Sequence, residues 1–153
     1  MVLRNKLKYI LTGSLLMVPL MSVADRQELA KYPSVYEGSD YVLTMLRTGE
    51  HSRETVLIKV EGIDNDFDGQ IYLHSKKCED TRCTAYRYET SEVPGKARWW
   101  TVQSVGSSYG HENLIMYPPG IDTKTAIHKV KRPGGFNAEK FYAEYLGQKL
   151  LRK

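Results

Sequence analysis

Gln70-Ile71-Tyr72-Leu73-His74-Ser75-Lys76-Lys77-Cys78-Glu79-Asp80-Thr81-Arg82-Cys83-Thr84-Ala85-Tyr86-Arg87-Tyr88-Glu89-Thr90 carries the strongest fold signal in the chain. Both of its arms alternate with period two. Ile71 and Leu73 share one face of the first arm, with Tyr72 and His74 opposite; Tyr86 and Tyr88 oppose Arg87 and Glu89 on the second. Such alternation marks strands on a pleated surface. The segment Cys78 to Cys83 between them has a polar centre, so the whole reads as two strands joined through an exposed tip.

The same pattern extends in both directions. Upstream, Tyr41 to Arg47 is a strand ended by Thr48-Gly49, and in Thr55 to Glu61 the residues Val56, Ile58 and Val60 oppose Leu57, Lys59 and Glu61. Downstream, the turn Val93-Pro94-Gly95-Lys96 leads into a strand from Ala97 to Val105. Asn113 to Tyr117 and Thr125 to Lys131 follow, separated by Pro118-Pro119-Gly120, while Asp25 to Asp40 reads as a polar lead. Short links and alternating faces predict an antiparallel sheet of about 6–7 strands with one buried face. The period then changes. Pro133-Gly134-Gly135 is a break, Asn137 suits a helix N-cap, and Ala138, Phe141, Tyr142, Tyr145, Leu146 and Leu150 recur at helical spacing. Lys149, Arg152 and Lys153 complement the dipole at its end. The expectation is an α+β domain whose C-terminal helix covers the apolar face of the sheet.

Residues 1–24 read as a cleavable export signal. Arg4, Lys6 and Lys8 form a basic start, an apolar run follows from Tyr9, and Ser22-Val23-Ala24 supplies the small residues of a cleavage site. The run is interrupted by Thr12, Gly13, Ser14 and Pro19, too early for the roughly 20 apolar residues of a spanning helix. No cysteine follows Ala24 to carry a lipid, so no stable membrane anchor is expected. The predicted product is one domain, residues 25–153, in the periplasm or outside the cell.

Loss of the signal changes the charge argument. The whole chain has 22 Lys and Arg against 18 Asp and Glu; without Arg4, Lys6 and Lys8 the bases number 19 and the net charge is +1. A nucleic-acid binder needs clustered bases. Little remains except Lys129-Val130-Lys131-Arg132, which suits a strand edge protected against pairing, and nucleic acid is set aside.

In an oxidising compartment Cys78 and Cys83 are placed to close a short loop as a disulfide. Cys-x-x-Cys spacing and further ligands, which redox or zinc chemistry would need, are absent. Three other patterns carry chemistry. Asp64-Asn65-Asp66-Phe67-Asp68-Gly69 matches the front half of a calcium loop, with Asp64, Asp66 and Asp68 as carboxylate ligands of a weak site. Position 12 is Ser75 rather than glutamate, and an acidic hairpin tip is the alternative. Gly106-Ser107-Ser108-Tyr109-Gly110 fits a nucleophile elbow, with Asp122 and His128 following in hydrolase order. The strand-like Asn113 to Tyr117 occupies the place of the helix that an elbow requires. His51, His74, His111 and His128 show no helical pairing for a metal.

Aromatic residues supply the binding signal. Trp99 and Trp100 are adjacent, so on a strand they face opposite sides, leaving one of them as an exposed anchor. Tyr86 and Tyr88 flank the cysteine loop and are further candidate anchors.

The export signal, the size of the mature chain and the strand, six-residue cysteine loop and strand over Gln70 to Glu92 resemble the vertebrate-lysozyme inhibitors of the bacterial periplasm. The resemblance implies a cysteine-bounded loop that projects from a sheet and plugs the cleft of its target. The family's loop carries a histidine and a proline where this chain has Glu79-Asp80-Thr81-Arg82, so the target is left open. The expected function is non-enzymatic: inhibition of a cell-wall hydrolase or a toxin, with no cofactor. Glu79, Asp80, Thr81 and Arg82 would form the inserting tip, flanked by Tyr86, Tyr88, Trp99 and Trp100. The alternatives are a small secreted hydrolase using Ser108 with His128, and a calcium-binding, structural or adhesive envelope protein.

Overall fold

The computed structural model describes residues 28–49, 54–131 and 134–152. Residues 1–24, expected to be an export signal, His51 and Arg132 lie outside them. Eight strands and one helix occur among the described residues: β1 Ser34–Gly38, β2 Tyr41–Thr48, β3 Thr55–Glu61, β4 Ile71–Cys78, β5 Tyr86–Thr90, β6 Trp99–Ser108, β7 His111–Met116, β8 Thr125–Val130 and α1 Ala138–Leu151. None of this is a helix long and apolar enough to cross a membrane.

The strands form a closed antiparallel barrel in sequence order, which corrects the expectation of an open α+β sheet of 6–7 strands. The missing element was β1, hidden in the polar lead. Its Val35, Tyr36 and Glu37 pair with Val130, Lys129 and His128 of β8, joining the two ends of the sheet. Closure satisfies edge groups that an open sheet leaves unpaired. It also changes what is buried. The inner face packs on itself, with Leu43, Met45, Val56, Ile58, Val60, Val102, Leu114, Met116 and Ile127 filling the barrel.

The helix therefore packs outside the barrel. Leu46, Leu57 and Ile71 on the outer face of β2, β3 and β4 meet Phe141 and Tyr145. Asn137 caps α1, its side chain accepting from the Lys140 amide. Leu146 and Leu150 of the predicted stripe point to solvent. The helix is fastened by Glu92 in the β5–β6 link: its carboxylate accepts from the Leu73 amide at 2.9 Å and the Tyr145 hydroxyl at 2.8 Å, and pairs with Lys149 at 2.8 Å. Burial pushes the Glu92 carboxyl upward, but these donors outweigh it and the net shift is downward. Arg152 completes the lock, lying 4.5 Å over the Tyr72 ring and 3.8 Å from Glu92.

Two bulges shape β6. Tyr88 pairs with Val102 and Glu89 with Trp100, so Thr101 is the extra residue. Thr101 consequently turns to the buried His74, whose Nε2 is 2.8 Å from its hydroxyl. His74 Nδ1 lies 2.9 Å from the Tyr72 carbonyl. A carbonyl only accepts, so Nδ1 carries the proton and Nε2 accepts from Thr101. The second bulge lies between Ser104 and Ser107, where Gly106 takes φ 108°.

Two predictions test this architecture. A Cβ at Gly38 would lie 2.3 Å from the Ala126 carbonyl oxygen. Gly38→Ala should therefore force β1 away from β8 and cost about 2 kcal/mol in urea unfolding. Burial lowers the pKa of His74 to about 4. The unfolded chain then takes up this proton more readily than the folded one, so the contribution is fully present above about pH 6.5 and is lost as pH falls toward 4. Over that window stability should fall by about 3 kcal/mol from this group, and His74→Gln should remove that part of the slope.

Candidate functional site

The barrel has two unlike ends. At the lower end the β3–β4 and β7–β8 links close the barrel, with Ile63 and Ile121 joining the inner core. The upper end carries the β4–β5 turn, the β6–β7 hairpin and the segment that enters β1.

The β4–β5 turn is the most strongly constrained of these. Cys78 and Cys83 are joined as a disulfide with a Cα separation of 4.8 Å. Inside the loop, Asp80 acts as a template. One carboxylate oxygen accepts from the amides of Arg82 at 2.8 Å and Thr84 at 3.0 Å; the other accepts from the Ala85 amide at 2.8 Å and from the Thr84 hydroxyl. These bonds, led by those from Thr84, hold the Asp80 carboxyl at about 2. Cys83 takes φ 54°, a left-handed conformation, and its amide donates to the Asp80 carbonyl. The turn is thus fixed by polar bonds as well as by sulfur.

The four predicted contact residues separate accordingly. Asp80 is committed to the turn itself. Glu79 is bound at the base, pairing with Arg87 at 3.1 Å and accepting from Gln103 at 3.2 Å. Thr81 and Arg82 are exposed at the apex. The Arg82 side chain has no ion-pair partner among the described residues.

The flanking aromatics also divide. Trp100 is 39% exposed on the outer wall; Arg87 lies over its ring at 5.4 Å and Tyr117 meets its edge. Trp99 faces the other way, half-buried, with its indole N–H donating to the Tyr117 carbonyl. Tyr86 and Tyr88 are not flank anchors, because their alternation places them inside the barrel, edge to face with centroids 5.6 Å apart. Tyr86 donates to Glu112 at 2.8 Å, and burial, reinforced by that carboxylate, keeps its hydroxyl protonated.

The other candidates lie elsewhere. Asp64, Asp66 and Asp68 belong to the lower end, and Asp68 accepts from the Gly62 and Ile63 amides. No group of three His, Cys, Asp or Glu among the described residues is arranged to hold a metal ion. The Gly106 to Gly110 match is a bulge followed by a hairpin: Tyr109 and Gly110 take φ 51° and 80° between the paired Ser108 and His111. Ser108 bonds Asn113, while Asp122 sits in the lower β7–β8 link, so the hydrolase set is not assembled.

Sequence reasoning missed a recess at the upper mouth. A cavity of about 290 Å³ is lined there by Tyr36, Tyr86, Tyr88, Arg47 and Glu112 among others. Arg47 pairs in register with Val56, which is inward, and alternation sends both into the barrel. The signal for this was the parity of Met45 and Arg47, legible only once the sheet is known to close.

No protein-family model matches this chain, and no curated protein or solved structure matches it.

With the disulfide intact, Asp80→Ala should release the turn while leaving the barrel folded. Amide exchange at Arg82, Thr84 and Ala85 is expected to accelerate by about tenfold, as for loss of bonds to a charged acceptor. Unchanged exchange there would show that the disulfide alone fixes the loop.

Proposed function

We propose that this chain is an exported, non-enzymatic binding protein that blocks a cell-wall hydrolase or a toxin by inserting its disulfide-pinned turn. The observation that carries the reading is the turn's internal constraint. Asp80 and the Cys78–Cys83 bond fix its backbone before any partner arrives, and Arg82 stands exposed at its apex. A preformed loop avoids much of the ordering cost of association. An arginine can form paired, charge-assisted hydrogen bonds with a carboxylate, and paired carboxylates are the working groups of glycan hydrolases.

The outer wall supports the same approach. Trp100, stacked under Arg87 lower on the same wall, opposite Glu89 at the far end of β5 from the loop, is a further exposed aromatic, and tryptophan is common at the centre of binding hot spots. The helix packs against β2, β3 and β4 and leaves the turn uncovered.

The test is a titration of purified muramidases, a vertebrate-type lysozyme among them, and other cell-wall hydrolases against the oxidised protein. Stoichiometric inhibition of one of these is expected. Arg82→Ala should then raise the inhibition constant by about thirtyfold or more, as for loss of one member of a buried charge pair. Equal inhibition by Arg82→Ala would overturn the insertion of the turn, and no inhibition of any hydrolase tested would overturn a cell-wall hydrolase as the target.

A further inference from the structure

The barrel is open along part of one seam. β7 and β8 pair only at Leu114 with Ile127, Ile115 with Ala126 and Met116 with Thr125. Continuing that register upward would set Asn113 opposite His128, Glu112 opposite Lys129 and His111 opposite Val130. None of these pairs forms. His111 and Glu112 remain paired to β6, and His128 to Val130 remain paired to β1, so each strand holds its neighbour on the far side and faces the gap with an unused edge. Glu112 and Lys129 would be cross-strand partners in a closed seam, yet no ion pair joins them. Between the edges lies a cleft of about 670 Å³, which Tyr36, Glu112 and Leu114 share with the mouth recess.

The cause is legible in β6. The bulge between Ser104 and Ser107, with Gly106 at φ 108°, bends the upper part of the β6–β7 hairpin away from β8.

We propose that this seam is a receptor slot for an extended, acidic peptide segment of a partner protein. Two facing edges give an incoming strand a ladder on each side, the mode in which main-chain bonds supply affinity and side chains supply selection. Open edges as long as the three residues on each strand span about 10 Å, which suits a short peptide. Charge selects the class of occupant. Lys129 shares the inward parity of Ile127, and Arg47 projects into the adjoining recess. Neither cation has an ion-pair partner among the described residues. Glu112, which accepts from the neutral Tyr86 hydroxyl, is one acid against these two cations in the lining, and Lys76 is paired with Glu54 at 2.8 Å. A strand with acidic side chains on its inward face meets both open cations.

The slot is separate from the disulfide-pinned turn, so the two readings fail independently. The probe is the acetylated, amidated peptide Thr-Glu-Thr-Asp-Thr, added to the full chain and followed by amide hydrogen exchange and calorimetry. Without peptide, those amides of His111 to Asn113 and His128 to Val130 that point into the gap, rather than toward β6 or β1, should exchange faster than those paired at Leu114 to Met116. With peptide, they should slow by about tenfold. A backbone N-methylated version and a lysine-for-acid version should leave them unchanged, Lys129→Glu should reverse the charge preference, and Arg82→Ala should bind the peptide normally. No protection by the acidic peptide, or equal protection by the lysine peptide, would overturn the proposal. So would protection that arises without peptide as the protein dimerises, since the occupant would then be a second copy of this chain.

Discussion

The pairing of β1 with β8 is the contact on which the molecule depends. Three register pairs join the two ends of the sheet, and they form because Gly38 lets the β1 backbone approach Ala126 where a side chain would collide. Without them β1 and β8 become free edges, and the apolar inner face that runs from Leu43 to Ile127 has nothing to close against. Closure also explains the helix. With the inner face buried on itself, α1 is left the outer patch around Leu57 and Ile71. Glu92 holds it there through one backbone and two side-chain donors.

Much of this was legible from alternation. The boundaries of Thr55 to Glu61 match β3 to the residue, and the helix begins after the Asn137 cap that the sequence marks. The opposite facing of Trp99 and Trp100 also holds, although a bulge at Thr101 changes the parity just beyond them. What alternation does not encode is global curvature. A strand such as Ser34–Gly38 is too short and too polar to announce itself, and without it the sheet has no visible reason to close. The same blindness misplaced Tyr86 and Tyr88. On an open sheet either face can be solvated, whereas in a barrel the face shared with Ile58 and Val102 has only one destination.

The site was legible in part for a related reason. The spacing of Cys78 and Cys83 marks a short loop, but nothing in it distinguishes a contact residue from a turn-forming one. Asp80 looks like a surface carboxylate in sequence, and in the fold its two oxygens are occupied by the loop's own donors. The acidic segment at Asp64 to Asp68 deceived in the same manner. Asp68 satisfies the Gly62 and Ile63 amides at the lower end, a use of carboxylate that also places an aspartate beside a glycine.

Both ends of the barrel carry irregular backbone, left-handed Ser39 in the lower β1–β2 turn included, but they are held differently. Below, Ile63 and Ile121 extend the core, Asn65 bonds the Pro119 carbonyl, and Phe67 packs against Gly120. Above, the left-handed Cys83, the bulge at Gly106 and the left-handed Tyr109 all depart from regular strand geometry. Non-glycine residues at positive φ cost free energy that the surrounding structure must overcome, and they concentrate where shape serves contact. Here the bonds that overcome it are identifiable: Asp80 and the disulfide at Cys83, and the Ser108 to Asn113 bond beside Tyr109. Packed by apolar side chains at one end, the barrel keeps the loop at the other in shape with local polar bonds and a disulfide.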